Sequence, residues 1–233
     1  MRWSRRVIAL AFWSVVLSAT CAPASEETPV SMNSLAGIEI VAVSIPADWR
    51  SEIIQAAERG QIDQLQQQVL CNGGYFDAQG NPDGLVISGS VEQPIRRGRL
   101  RNEPPYSGFL WADTAGTVHI AKTNEAPRDV AWAIQAGPML VENGQSGINR
   151  STSAACRTVV GVIRQRVMVF RTGRIGLKEL ADWLVTAGVD NAINLDGGPS
   201  SEVQISIGDT VINRPAMVRE KIPYFVFFRP PVR

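Results

Sequence analysis

The sequence predicts an α+β fold, a single mixed α/β domain with a strand-rich core and two to three helices. Three observations predict it. Short β-branched and aromatic runs recur along the chain, separated by Gly, Pro, Asn and Asp clusters that mark turns. Leu177, Leu180, Ala181, Leu184 and Val185 recur at the spacing of one helical face. The stretch 49–68 has helical composition, rich in Ala, Glu, Gln and Leu, although Gly60 interrupts it. With 233 residues, 45% hydrophobic and 19% charged, the chain can bury one sizeable core and reads as one domain.

The N-terminal stretch stands apart from that domain. Arg2, Arg5 and Arg6 form a basic start, 7–17 an apolar stretch, and Ala22-Pro23-Ala24 a small-x-small cleavage pattern. Residues 1–24 therefore read as a secretory signal peptide and 25–233 as the folded domain. The apolar stretch is shorter than the roughly 20 residues a membrane span needs, so no stable membrane insertion is expected after cleavage. An exported protein, periplasmic or secreted from a bacterial cell, is the reading that follows. Loss of the three arginines leaves 20 Lys and Arg against 22 Asp and Glu, a formal charge of −2 where the whole chain has +1. Basic residues are scattered without a block, which excludes a nucleic-acid surface.

The elements follow in order. A β-branched run predicts a strand over 38–44, and 49–68 predicts a helix. Short buried strands are expected over 69–73 and 85–88. Pro94, Pro104, Pro105 and many charges make 92–106 a long loop. Strands over 109–112 and 118–121 flank Asp113-Thr114-Ala115-Gly116 as a hairpin. Strands are expected at 131–134, 158–163 and 167–170, the last two joined by Arg164-Gln165-Arg166. The amphipathic helix from Leu177 ends at Gly188, which suits a C-terminal cap, and feeds a strand over 192–195. Strands over 203–207 and 224–228 complete the chain, the latter apolar enough to be internal.

Three polar clusters bracketed by glycine follow such apolar runs: Asn72-Gly73-Gly74-Tyr75-Phe76-Asp77, Gln135-Ala136-Gly137-Pro138 and Asn194-Leu195-Asp196-Gly197-Gly198-Pro199-Ser200-Ser201. Glycines at a strand end let backbone approach a ligand closely, and the neighbouring Asn or Asp supplies a fixed polar group. Asp196 is the leading candidate for chemistry, although an Asp before Gly-Gly also reads as a turn cap. Asp77 carries the same double reading within a run of turns. Arg157 opens a strand and would clamp a phosphate or carboxylate, or else lie on a solvated strand edge. Cys71 and Cys156 remain after signal cleavage. They allow one disulfide in an oxidising compartment or two unpaired thiols, and a catalytic thiolate would need His119 as its base. No HExxH, paired CxxC, GxxxxGK[ST] or GxSxG pattern occurs.

The order of these segments carries a resemblance. Asn72-Gly73-Gly74-Tyr75-Phe76 comes first, then Gln135-Ala136-Gly137-Pro138 with Val141-Glu142-Asn143-Gly144, then Arg157-Thr158 with Gly161. Gly176-Leu177 then opens a helix that leads into Asn194-Leu195-Asp196-Gly197-Gly198. Over 38–228 this set resembles the phosphodiester glycosidase family. The resemblance implies hydrolysis of the anomeric C–O bond of a small-molecule or glycan phosphodiester. No cofactor and no metal site are expected from the residues. Carried over by position, it places Asn72, Gly73, Gly74, Gln135, Gly137, Arg157, Asn194, Asp196, Gly197 and Gly198 in the site.

On that reading Asp196 acts as nucleophile or as base for water, and Arg157 with the glycine-rich backbone neutralises the departing phosphate. Asn72, Gln135 and Asn194 read sugar hydroxyls, Tyr75 and Phe76 supply an apolar wall, and Thr158 and Ser200 line the substrate. Asp77 is the candidate second carboxylate. One position departs from the family pattern: Pro199 stands where a third glycine is usual, and it lacks the N–H that a phosphate nest would use. Two alternatives come from other classes, a non-catalytic envelope module that binds glycan or phosphopolymer, and a metal-assisted phosphodiesterase that attacks phosphorus.

Overall fold

The computed structural model describes residues 29–62, 67–89 and 93–231. The signal-peptide reading of 1–24 falls outside the described residues. Among the described residues, three antiparallel sheets build the fold. The first has the strand order β1 (Val30–Leu35), β2 (Ile38–Ser44), β13 (Arg166–Ile175), β12 (Ala155–Ile163), β14 (Asn191–Asn194), β10 (Met139–Glu142) and β11 (Gln145–Ser146). The second runs β16 (Thr210–Arg214), β15 (Val203–Ile207), β4 (Gln68–Asn72), β17 (Tyr224–Arg229) and β3 (Arg50–Gln55). The third runs β6 (Pro94–Arg97), β5 (Val86–Gly89), β9 (Val130–Ala136), β7 (Gly108–Asp113) and β8 (Val118–Ala121).

Alternation along the strands decides which face each residue meets. On β2, Val41 and Val43 enter a core shared by all three sheets, while Ile40 and Ala42 pack on the opposite face. That opposite face is covered by the helix α2 (Leu177–Thr186), which buries Leu177, Leu180, Ala181 and Leu184. The shared core gathers Val160 from β12, Val69 and Cys71 from β4, Tyr224 and Val226 from β17, and Leu110, Trp132 and Ile134 from the third sheet. On β17 the residues between, Phe225 and Phe227, pack outward with Ile54, Leu70 and Ile222. Burial on both faces explains why β17 reads as an unbroken apolar run, and it does lie inside its sheet.

The fold is β-rich, which corrects the α+β expectation. Among the described residues, α2 is the one helix longer than four residues. The predicted helix over 49–68 is instead strand β3, a 3-10 turn over Ala56–Glu58 and the single helical turn α1 (Arg59–Ile62). Pairing with β17 overrides the helical composition: Ile54 lies opposite Phe225 and Ile53 opposite Val226, so the two isoleucines gain apolar partners that a helix would not supply. The expected loop over 92–106 contains β6, which pairs with β5 from Pro94 onward. A proline at the first residue of an edge strand removes no ladder bond that matters. Among the described residues no helix is long and apolar enough to cross a membrane.

Candidate active site

Each sheet delivers one glycine-bracketed tip to a common junction. From the second sheet β4 ends at Asn72, from the third β9 ends at Ala136, and from the first β14 ends at Asn194. Backbone bonds join the tips directly: Asp196 N–H donates to Gly73 O at 3.2 Å, and Gly137 N–H donates to Asn194 O at 3.0 Å. Two glycines leave room at the tips that a side chain would fill. A Cβ on Gly73 would stand 2.2 Å from the Tyr224 ring, and one on Gly137, whose φ is +150°, would stand 2.1 Å from Pro105 O.

Buried amides lock the junction. Asn72 is fully buried; its Nδ2 donates to Asp196 O at 2.8 Å and Gly73 O at 3.0 Å, and its Oδ1 accepts from Glu202 N–H at 2.9 Å. Asn194 Nδ2 donates to Leu195 O at 2.5 Å, Tyr75 Oη at 3.2 Å and Gly137 O at 3.3 Å. Gln135 takes the Arg101 N–H on Oε1 at 2.9 Å and returns Nε2 to Arg101 O at 2.6 Å, which fixes the segment after β6 against β9. All three side chains are turned into the protein. Their observed partners are backbone groups and one phenol.

Asp196 stands half-buried just beyond β14. Its Oδ1 accepts from Gly197 N–H at 2.8 Å, and Ser200 supplies a hydroxyl bond. Burial is the largest influence and raises its pKa above the ordinary carboxylate range, against the opposing pull of those two bonds. Arg157 sits on β12, next to a register shift between Ala155 and Arg157. Its Nη2 donates to Ser153 O at 2.9 Å and its Nε to Ile175 O at 3.3 Å. A Cβ on Gly197 would lie 3.6 Å from Arg157 Nη1, which puts the guanidinium beside the Asp196 loop. Burial lowers its pKa.

Tyr75 lies near both charged groups. Its hydroxyl donates to Gly137 O at 2.5 Å, and it lies within electrostatic reach of both Asp196 and Arg157. Burial pushes its pKa up to about 12, so it is a neutral phenol at physiological pH. Among the described residues no carboxylate lies within ion-pair distance of Arg157 and no cation within that distance of Asp196. A half-buried carboxyl group and a half-buried guanidinium thus share one junction without neutralising each other. An arrangement of that kind leaves both free for a ligand that brings an anion and an electrophile together.

A family model described as phosphodiester glycosidase matches residues 66–229. The chain belongs to the phosphodiester glycosidase family. Among solved structures it resembles the catalytic domain of zebrafish N-acetylglucosamine-1-phosphodiester alpha-N-acetylglucosaminidase, auto-inhibited by its pro-peptide. The TM-score is 0.56 at 18% identity, over 90% of this chain and 86% of that one. A hypothetical protein from Synechocystis is similar with a TM-score of 0.50 at 12% identity, over 86% of this chain and 61% of that one. No curated protein matches this sequence significantly.

The remaining expected residues lie at the junction, on its tips or away from it. Thr158 and Ser200 lie at the junction, Thr158 bonded through its hydroxyl to Ser201 at 2.9 Å and Ser200 bonded to Asp196. Gly74, Gly197 and Gly198 occupy the two tips. Phe76 packs outward on the second sheet with Phe225 and Phe227. Asp77 is exposed and accepts from the N–H groups of Gln79 and Asn81, each at 2.9 Å, so its carboxylate closes a turn.

The disulfide reading is corrected, because Cys71 and Cys156 are both free thiols. They sit on strands of different sheets, and Cys71 is turned into the shared apolar core, where burial raises its pKa. His119 bonds to Asp113 at 2.8 Å and stacks on Trp111, away from both cysteines in the third sheet.

Three residues of the site carried little signal in the sequence. Tyr106 meets the Tyr75 ring edge-on at 5.4 Å and donates to Asp83 at 2.8 Å, holding Tyr75 in place. Tyr224 packs its ring against Gly73. Glu202 is fully buried, takes ion pairs from Arg59 and Arg219, and donates its N–H to Asn72. A lone acid at the start of an apolar strand was the one available hint, at Glu202.

Proposed function

We propose that this protein is an exported glycosidase that hydrolyses the anomeric C–O bond of a sugar-1-phosphodiester. The observation that carries the reading is the mutual availability of Asp196 and Arg157, two half-buried groups of opposite charge held apart at one junction. The anomeric carbon approaches Asp196. Its carboxylate attacks that carbon to give a glycosyl ester that water then hydrolyses, freeing the carboxylate and the sugar, or it takes a proton from the water that attacks directly. As the C1–O bond breaks, its electron pair passes to the phosphate oxygen, and a phosphate monoester departs. Such a leaving group needs little protonation, so one carboxylate suffices.

Arg157 is the source of positive charge for that departing phosphate. The loop contributes less than glycine content implies. Gly197 N–H is turned to Asp196, the N–H groups of Ser200 and Ser201 bond back within the 3-10 turn, and Pro199 has none. Asn72, Gln135 and Asn194 act as positioning residues, since their amides hold the tips rather than facing outward. Tyr75, held by Gly137, Asn194 and the Tyr106 ring, presents a rigid wall to the sugar. The signal pattern over 1–24 supports export.

Hydrolysis in heavy-oxygen water tests the reaction. Label is expected on the anomeric hydroxyl of the sugar, with Asp196→Asn lowering kcat about a thousandfold. Label in the phosphate would overturn the reading and favour attack at phosphorus. Binding without turnover would instead mark a glycan-binding module.

A further inference from the structure

Pro199 takes no part in the steps above, yet it anchors a second feature. Its carbonyl accepts the N–H of Met217 at 2.8 Å and that of Val218 at 3.3 Å. Between β16 and β17, the chain is also fixed from within: Ala216 is buried with the outer apolar cluster of the second sheet and its N–H donates to Glu202 at 3.4 Å. The segment is therefore tied to the 3-10 turn over Gly198–Ser200, and what it leaves outside is apolar. Met217 is 89% exposed, Pro215 and Pro199 are exposed, and Val218 is half-buried.

One exposed apolar side chain means little by itself. Here four lie on two segments bonded to each other, Pro199 on one and Pro215, Met217 and Val218 on the other, and Pro199 precedes the Ser200 that bonds the catalytic carboxyl group. Along that loop the order is Asp196, then Gly197 beside Arg157, then Pro199, whose carbonyl holds Met217. Read against the chemistry, the order is anomeric carbon, phosphate, and whatever the phosphate carries. The geometry points to an aglycone subsite in which Pro199, Pro215, Met217 and Val218 receive an apolar group esterified to the phosphate. The substrate class is then a glycosyl phosphodiester of an apolar alcohol, in preference to one of a sugar or glycerol. Methionine suits that task, because its unbranched thioether adapts to alkyl chains of different shape.

This inference rests on the phosphodiester reading, and a binding measurement separates the two. Calorimetry below the micelle concentration compares n-octyl phosphate with methyl phosphate. The wild-type protein is expected to bind the octyl ester about tenfold more tightly, the scale of a few buried methylenes. Met217→Gln is expected to erase that difference. Val211→Gln, which changes a residue 73% exposed on β16, is expected to keep it. Equal affinities in the wild type, or the same loss in Val211→Gln, overturn the subsite. Turnover supplies the second arm, with methyl and n-octyl diesters of N-acetylglucosamine 1-phosphate. A tenfold preference in kcat/KM for the octyl diester supports both readings. Cleavage with no preference overturns the subsite alone. An octyl preference in binding with neither diester cleaved supports the subsite and removes the hydrolytic reading.

Discussion

A guanidinium drawn half out of water, with two backbone carbonyls and no carboxylate around it, is costly to keep unless an anion completes its shell. Arg157→Ala is accordingly expected to lower kcat/KM on a sugar-1-phosphodiester by about a hundredfold or more, and to change hydrolysis of a neutral aryl glycoside far less. Equal losses on the two substrates would remove the phosphate role. Asp196 shows the same tension with the opposite sign. Its folded pKa is raised by burial, so the ionised form opposes folding at neutral pH. That cost fades as pH falls through the raised folded pKa and is absent below the unfolded one. Asp196→Asn should therefore melt at a higher temperature than the wild type at pH 7, with the gap closing toward pH 3. A lower melting temperature at pH 7 would mean that the Gly197 and Ser200 bonds to the carboxylate outweigh its burial.

Elements whose residues meet local partners were legible in the sequence. The β7–β8 and β12–β13 hairpins follow from alternation around short turns, and α2 follows from its apolar stripe and from Gly188 at φ +80°. Elements whose partners lie far along the chain were not. β3 has the composition of a helix and becomes a strand because β17, about 170 residues later, offers a phenylalanine-rich edge. β6 was hidden by Pro94 and by the prolines and charges that follow it, and β1, β10, β11 and β16 are short or polar enough to pass as loop. At the site the same division holds. Glycine clusters marked all three tips, but spacing does not say whether an amide on a tip faces solvent or protein. Asn72 and Gln135 were expected to read hydroxyls, and their donors and acceptors turn out to be committed to backbone. Tyr106 and Tyr224 reach the site by tertiary packing alone.

At the scale of the molecule, Asn72 is the point where the second sheet is joined to the loop of the first. Its three bonds tie β4, Asp196 and Glu202 together. Asn72→Ala removes them and strands the buried N–H of Glu202, at a cost of about 1–3 kcal/mol. The variant should melt earlier and also lose activity at temperatures where it is fully folded, because Asp196 loses its carbonyl anchor. Full activity in the folded variant would show that the tip is held by the Gly73 bond alone.

The junction belongs to no single sheet, and that has a consequence for how the chain matures. The strands that meet there are separated by long stretches of sequence, so no short fragment of the chain brings the three tips together. If the proposed hydrolysis is borne out, it is expected only from molecules in which all three layers have docked, and turnover would double as a readout of finished assembly.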